Sequence, residues 1–111
     1  MSEAATITKV SPRKAFSRVK PKPIPRYHVV LLDDDDHTYE YVIEMLANVF
    51  GHSIQQAFLL AEEVDTSGRV IVETTTLERA EFKRDQILAF GADPRIDRCE
   101  GSMSAIVEPA E

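Results

Sequence analysis

The sequence predicts a two-layer α+β fold, a small three-stranded antiparallel sheet with three helices in the order β-α-α-β-α-β. Short apolar runs at 27–32, 69–75 and 103–107 have the length and β-branched or aromatic content of strands. Between them lie three longer stretches whose apolar residues recur at helical spacing. Start and stop residues (Thr, Ser, Gly, Pro) separate the stretches. Elements with one apolar face each bury it by stacking a helical layer on a sheet. With 111 residues there is room for one core and none for a two-domain enzyme.

Residues 1–25 read as a flexible, basic, proline-rich extension, and 26–111 as the domain. The run Lys20-Pro-Lys-Pro-Ile-Pro25 excludes a helix, because each proline lacks an N–H and holds its predecessor extended. Tyr27 to Leu32 is the first strand, β-branched, aromatic or leucine apart from His28. It ends in Asp33, Asp34, Asp35 and Asp36. Four adjacent carboxylates repel one another and keep their hydration only at a rim. Thr38 is placed to cap the first helix, with Glu40 near its positive end. Tyr39, Val42, Ile43, Leu46, Val49 and Phe50 form its expected inner face before Gly51. Ser53 and Gln56 match a capping box for the second helix, with Ile54, Ala57, Phe58, Ala61 and Val64 inward before Gly68. The two-residue link Gly51-His52 folds this pair into a hairpin.

Arg69 to Thr75 is the second strand. Thr75 and Glu78 match another capping box, opening a third helix with Leu77, Ala80, the Arg84 stem, Ile87 and Leu88 inward until Gly91. The Gly, Pro and charged content of 92–101 predicts a loop, and Met103 to Val107 the last strand.

Charge is divided unevenly. Residues 1–26 carry seven Lys or Arg against Glu3, about +6, and the rest of the chain about -12. The basic arm holds one aromatic, Phe16, and the acidic body repels a phosphate backbone, so nucleic acid is not expected as a partner. No apolar run approaches the roughly 20 residues of a membrane span, and the N-terminus lacks the apolar core of a secretory signal. A cytoplasmic monomer is expected. Cys99 stands alone, which excludes an internal disulfide. His28, His37 and His52 lack zinc-site spacing, and no Gly-x-Ser-x-Gly turn is present, so no catalytic residues and no cofactor are expected.

The acidic turn admits three readings. It can be a solvated helix-capping turn, and Asp36 and His37 read most simply that way. It can offer oxygens to Mg²⁺ or Ca²⁺, although it lacks the alternating ligands, central glycine and closing glutamate of an EF-hand. Or it can hold an organic ammonium, such as a peptide N-terminus. An ammonium about 4 Å from one carboxylate gains roughly 4 kcal/mol at an effective dielectric of 20, before desolvation. A neighbouring apolar pocket would then take the terminal side chain.

The pattern Tyr27-x-Val-Val-Leu-x-Asp33-Asp34-Asp35, then Thr38-x-Glu40-Tyr41-Val42, Gly68 and Thr76-x-Glu78-x-Ala80-Glu81-x-Lys83, resembles the ClpS family of protease adaptors. The match runs from about Tyr27 to Phe90, and more weakly from Met103 to Glu108. The resemblance implies a non-enzymatic adaptor that binds the free α-amino group and bulky hydrophobic side chain of a protein N-terminus, the N-degron. It further implies delivery to ClpA or a related Clp-type AAA+ unfoldase. By position it places Asp33, Asp34 and Asp35 at the amine and first peptide unit, with His37 and Asp65 beside them. It places Tyr39, Val42, Ala61, Val64 and Met103 around the side-chain pocket, and Glu78 and Lys83 on the ATPase-docking face. The family commonly has Asn at Asp33, Met at Tyr39, His at Asp65 and a proline near Thr38. The changes to carboxylate remove hydrogen-bond donors and add negative charge, while Tyr39 is larger and stiffer than methionine. The alternative is a regulatory ATPase-binding protein that alters substrate choice without holding an N-degron.

Overall fold

The computed structural model describes residues 23–111. Its elements are β1 (Tyr27–Leu32), α1 (Tyr39–Phe50), α2 (Ile54–Ser67), β2 (Arg69–Thr75), α3 (Leu77–Leu88) and β3 (Ala105–Pro109). Of the expected N-terminal extension, residues 1–22 lie outside the described residues. β1 is the most apolar strand and takes the centre of an antiparallel sheet ordered β2-β1-β3. Val29 and Leu31 alternate toward the core, each fully buried. Val30, on the other face, is buried too, between its cross-strand partners Ile71 and Ile106. A bulge leaves Val72 without a β1 partner, and its carbonyl accepts a bond from His52 in the α1–α2 turn, 3.2 Å.

The helices start and stop for local reasons. Thr38 caps α1 by accepting the N–H of Tyr41, and Ser53 caps α2 by accepting that of Gln56. Gly51 and Gly68 end them in the left-handed conformation, φ 75° and 86°, where a side chain would be strained. The third cap is Thr76, not Thr75: Thr75 is the last β2 residue, paired with Tyr27, so the expected Thr75–Glu78 box does not form. α3 closes at Ala89, before Gly91.

The inward faces differ from expectation in register. α1 buries Tyr41, Val42, Met45, Leu46 and Val49, while Tyr39 is 36% exposed. Two overlapping stripes run along this helix, and packing selects the one whose tyrosine ring is covered, edge-on to Phe90, with its buried hydroxyl bonded to the Gly91 carbonyl at 2.5 Å. In α2 the inner residues are Ala57, Leu60, Ala61 and Val64; Ile54 and Phe58 face out. In α3 Ala80 and Ile87 are buried, and Leu77 and Leu88 are exposed. β3 starts at Ala105 rather than Met103, and Met103 enters the core from the preceding loop.

Residues 89–104 link α3 to β3 and carry Asp93, 1% exposed and the one buried charged residue among those described. Its Oδ2 accepts the Thr38 N–H (2.7 Å) and hydroxyl (2.8 Å), and its Oδ1 accepts the N–H (3.0 Å) and Nη1 (3.1 Å) of Arg95. Burial pushes this carboxyl up, but the four bonds outweigh it and hold it down at about 2. A carboxylate depressed in the folded state stabilises above its unfolded pKa of about 3.9 and loses that contribution as pH falls toward 2, on the order of 2 kcal/mol. Urea unfolding at pH 5 and pH 2.5 is expected to show this loss, and Asp93→Asn to remove that part of the acid dependence.

Candidate functional site

The acidic turn is pinned on both sides. The Asp33 N–H donates to the Gly68 carbonyl, 3.0 Å, and the Leu32 N–H to the Ser104 carbonyl, 3.0 Å. Between the turn and the α1–α2 pair lies a cavity of about 120 Å³. Its apolar wall is Val42, Ala61, Val64 and Met103, each at most 5% exposed. Its polar rim is Asp33, Asp34 and Asp65, with His37, Thr38 and Tyr39 completing the lining.

Asp34 uses one oxygen structurally. Its Oδ1 accepts the Asp36 N–H at 2.9 Å and faces His37 Nδ1 at 2.7 Å, while Oδ2 has no partner among the described residues. Asp33 is pushed up by burial and then by the charges of Asp65, Asp34 and Asp35, against a hydrogen bond from the Asp34 backbone. A bound cation would relieve this repulsion. Tyr39 donates its hydroxyl to Asp65 Oδ2, 2.9 Å, closing a bridge from α1 to α2 over the mouth. That bond raises the Tyr39 hydroxyl above its ordinary range, and the ring lies 5.9 Å from Phe58.

His37 is not a solvated turn residue. Its side chain is 3% exposed, packed 4.6 Å from the Tyr41 ring, with Nε2 2.8 Å from the Gly101 carbonyl and 3.3 Å from Cys99 Sγ. Asp35 lies outside the lining, its carbonyl bound by Arg98 Nη2 at 2.9 Å, and Asp36 pairs with Arg98 Nε at 2.6 Å.

Glu78 and Lys83 are on α3, away from the cavity lining. Glu78 is exposed in the first turn. Lys83 donates Nζ to the Val49 carbonyl, 2.6 Å, and sits 5.7 Å from the Phe50 ring centre, so its charge serves the negative end of α1. Sequence reasoning missed Asp93, Arg98 and Gly101 as neighbours of the turn. They are 55 or more positions from it, in a segment without periodicity whose Gly, Pro and charged content marks it only as a loop.

Among the described residues no group of three His, Cys, Asp or Glu could hold a metal, and no helix is long and apolar enough to cross a membrane. An apolar pocket with three carboxylates at its rim suits a ligand that carries a cation beside a bulky apolar group.

Fold and pocket together describe a small binding module. Residues 22–94 match the family model described as ATP-dependent Clp protease adaptor protein ClpS, and the chain belongs to that family. As a member of an adaptor family it is not itself an enzyme. The ClpS adapter of Desulforapulum autotrophicum is 39% identical over 59 residues, covering 53% of this chain and 57% of that protein. That of Vibrio cholerae is 36% identical over 72 residues, 65% of this chain and 68% of its own. That of Synechococcus elongatus is 34% identical over 86 residues, covering 77% and 90%. Among solved structures, Agrobacterium tumefaciens ClpS2 bound to L-phenylalaninamide superposes with a TM-score of 0.67 over 78% of this chain and 99% of that one. At 23% identity this likeness shows the fold.

Proposed function

We propose that this chain captures the free α-amino group and bulky apolar side chain of protein N-termini and delivers them to a Clp-type AAA+ unfoldase such as ClpA. The observation that carries the reading is the union of Asp33, Asp34 and Asp65 with Val42, Ala61, Val64 and Met103 around one cavity. An ammonium at the rim meets converging acceptors while its side chain is dehydrated below. The ligand of the Agrobacterium neighbour has this chemistry: a free amine, a phenyl ring, and an amide where a peptide bond would follow. In this reading Asp35 acts through its place in the turn, Glu78 contributes to ATPase docking, Lys83 shapes that face from within, and the protein works as a cytoplasmic monomer.

The deciding experiment is fluorescence anisotropy with labelled peptides that differ only at the first residue, each beside its N-acetylated twin. Free-amine Leu or Phe peptides are expected to bind and acetylated ones not. A folded protein that binds none would leave the second reading, an ATPase-binding regulator, which the Tyr39–Asp65 bridge over the mouth favours.

Size sets the expected order among first residues. A cavity of about 150 Å³ accepts benzene, so about 120 Å³ suits Leu or a phenyl ring better than indole. Trp-led peptides are expected to bind about fivefold more weakly than Phe-led ones. Tyr39→Ala, which removes the mouth bridge, is expected to abolish that difference while the free-amine requirement stays.

A further inference from the structure

We infer that Asp93 and Arg98, both in the loop 89–104, are positioning residues for the amine-binding turn; the inference rests on the N-terminus-binding reading above. The turn has a physical problem: its four adjacent carboxylates repel, and repulsion favours an open, splayed chain. The loop opposes this at three points. Arg98 pairs Nε with the Asp36 carboxylate (2.6 Å) and donates Nη2 to the Asp35 carbonyl (2.9 Å), and it is the one guanidinium on the turn among the described residues. Asp93 grips the N–H and hydroxyl of Thr38, which both lines the cavity and caps α1. The Gly101 carbonyl faces His37 Nε2, and the other nitrogen of that ring faces Asp34 Oδ1.

These contacts hold the turn on either side of Asp34 and, through the His37 ring, meet its Oδ1, leaving Oδ2 without a partner among the described residues. A carboxylate that must meet an ammonium gains most when its orientation is settled before binding, because less freedom is then lost in the complex. The loop supplies that orientation from outside the turn, and its far end supplies Met103 to the apolar wall. The family match ends at residue 94, within the loop, so the Arg98 and Gly101 contacts are features of this chain beyond the matched segment.

A latch that only stabilised the fold would leave affinity unchanged in any folded variant. Cys99, the chain's one cysteine, separates the two cases. Its Sγ accepts the Asp93 N–H at 3.2 Å and lies 3.3 Å from His37 Nε2, so its alkylation rate reads whether the loop is seated on the turn. If the seated loop is the binding form, a bound peptide holds it there and the thiol reacts more slowly.

The test uses the full chain, a labelled Phe-led peptide with a free amine, and iodoacetamide labelling of Cys99 followed by mass spectrometry. Asp93→Asn is expected to weaken the peptide roughly tenfold and Arg98→Ala roughly fivefold, with the order among first residues unchanged. Saturating peptide is expected to slow Cys99 alkylation at least about fivefold in the wild type and less in either variant. The Arg98 side chain is 68% exposed, so its removal leaves the core in place should Asp93→Asn fail to fold. Folded variants that bind within twofold of the wild type, with alkylation indifferent to peptide, would overturn the positioning role alone. A wild type that binds no peptide would overturn the N-terminus-binding reading and this role with it.

Discussion

Asp34→Ala is expected to weaken capture of a free-amine peptide about 100-fold, the largest effect on binding of any single substitution at the rim. Two losses combine. Oδ2, without a partner among the described residues, is the oxygen placed to accept an ammonium N–H, and a hydrogen bond between charged groups is worth about 1.5–3 kcal/mol. Oδ1 anchors the Asp36 N–H and faces the buried His37 ring, so its removal also loosens the turn that carries Asp33. Together these come to about 3 kcal/mol, or roughly two decades in affinity. Asp34→Asn keeps the acceptor at Oδ1 that anchors the turn but loses the charge and puts an amide NH₂ where Oδ2 stood, and a loss of roughly tenfold or more is expected. Because the rim is open to solvent, the wild-type affinity should fall with added salt, and the alanine variant's should fall less. Anisotropy titrations at 50 and 300 mM salt check both statements. Wild-type affinity in a folded Asp34→Ala would remove this residue from the site.

The amount of this molecule that is legible in its sequence follows from how local each determinant is. Tyr27–Leu32 and Arg69–Thr75 are readable to the residue, because strand length and β-branched content are local properties. Thr38, Ser53, Gly51 and Gly68 are readable because a cap satisfies backbone groups within a few positions of itself. The inner faces are harder. Tyr39 and Tyr41 both continue an apolar stripe along α1, and periodicity alone does not choose between them. The choice is made by Gly91 and Phe90, about 50 residues away, which receive the Tyr41 hydroxyl and ring edge. The same reason hid the surroundings of the acidic turn: nothing near His37 in sequence says that Gly101 and Cys99 will bury it. The apolar wall was reached through the family resemblance, since Val42, Ala61 and Val64 read as plain core on periodicity. Asp35, assigned by position in the run, lies outside the lining because consecutive residues in a turn cannot all face one cavity.

Tyr41 carries the largest expected effect on stability. It is the bulkiest fully buried side chain, and its ring meets Phe90 edge-on at 5.5 Å and His37 at 4.6 Å. Tyr41→Ala is expected to cost about 4 kcal/mol, the lost transfer of the ring plus the cavity left behind, a large share of the 5–15 kcal/mol available to a domain. Tyr41→Phe keeps the ring and strands the Gly91 carbonyl, for about 1–2 kcal/mol. Burial pushes the Tyr41 hydroxyl up to about 12, aided by nearby Cys99, Asp93 and Asp34 and opposed by the Met103 backbone. An acid whose pKa is raised by folding contributes fully below its unfolded value, near 10, and that contribution is lost as pH rises toward 12. Urea unfolding at pH 8 and at pH 11 should therefore show an alkaline loss in the wild type that Tyr41→Phe lacks. Because the ring also walls in His37, Tyr41→Phe should preserve peptide affinity, whereas Tyr41→Ala, even when folded at low temperature, should lower it through Asp34. Equal affinity in the two variants would separate the core from the pocket and show that the His37–Asp34 pair is held by the loop alone.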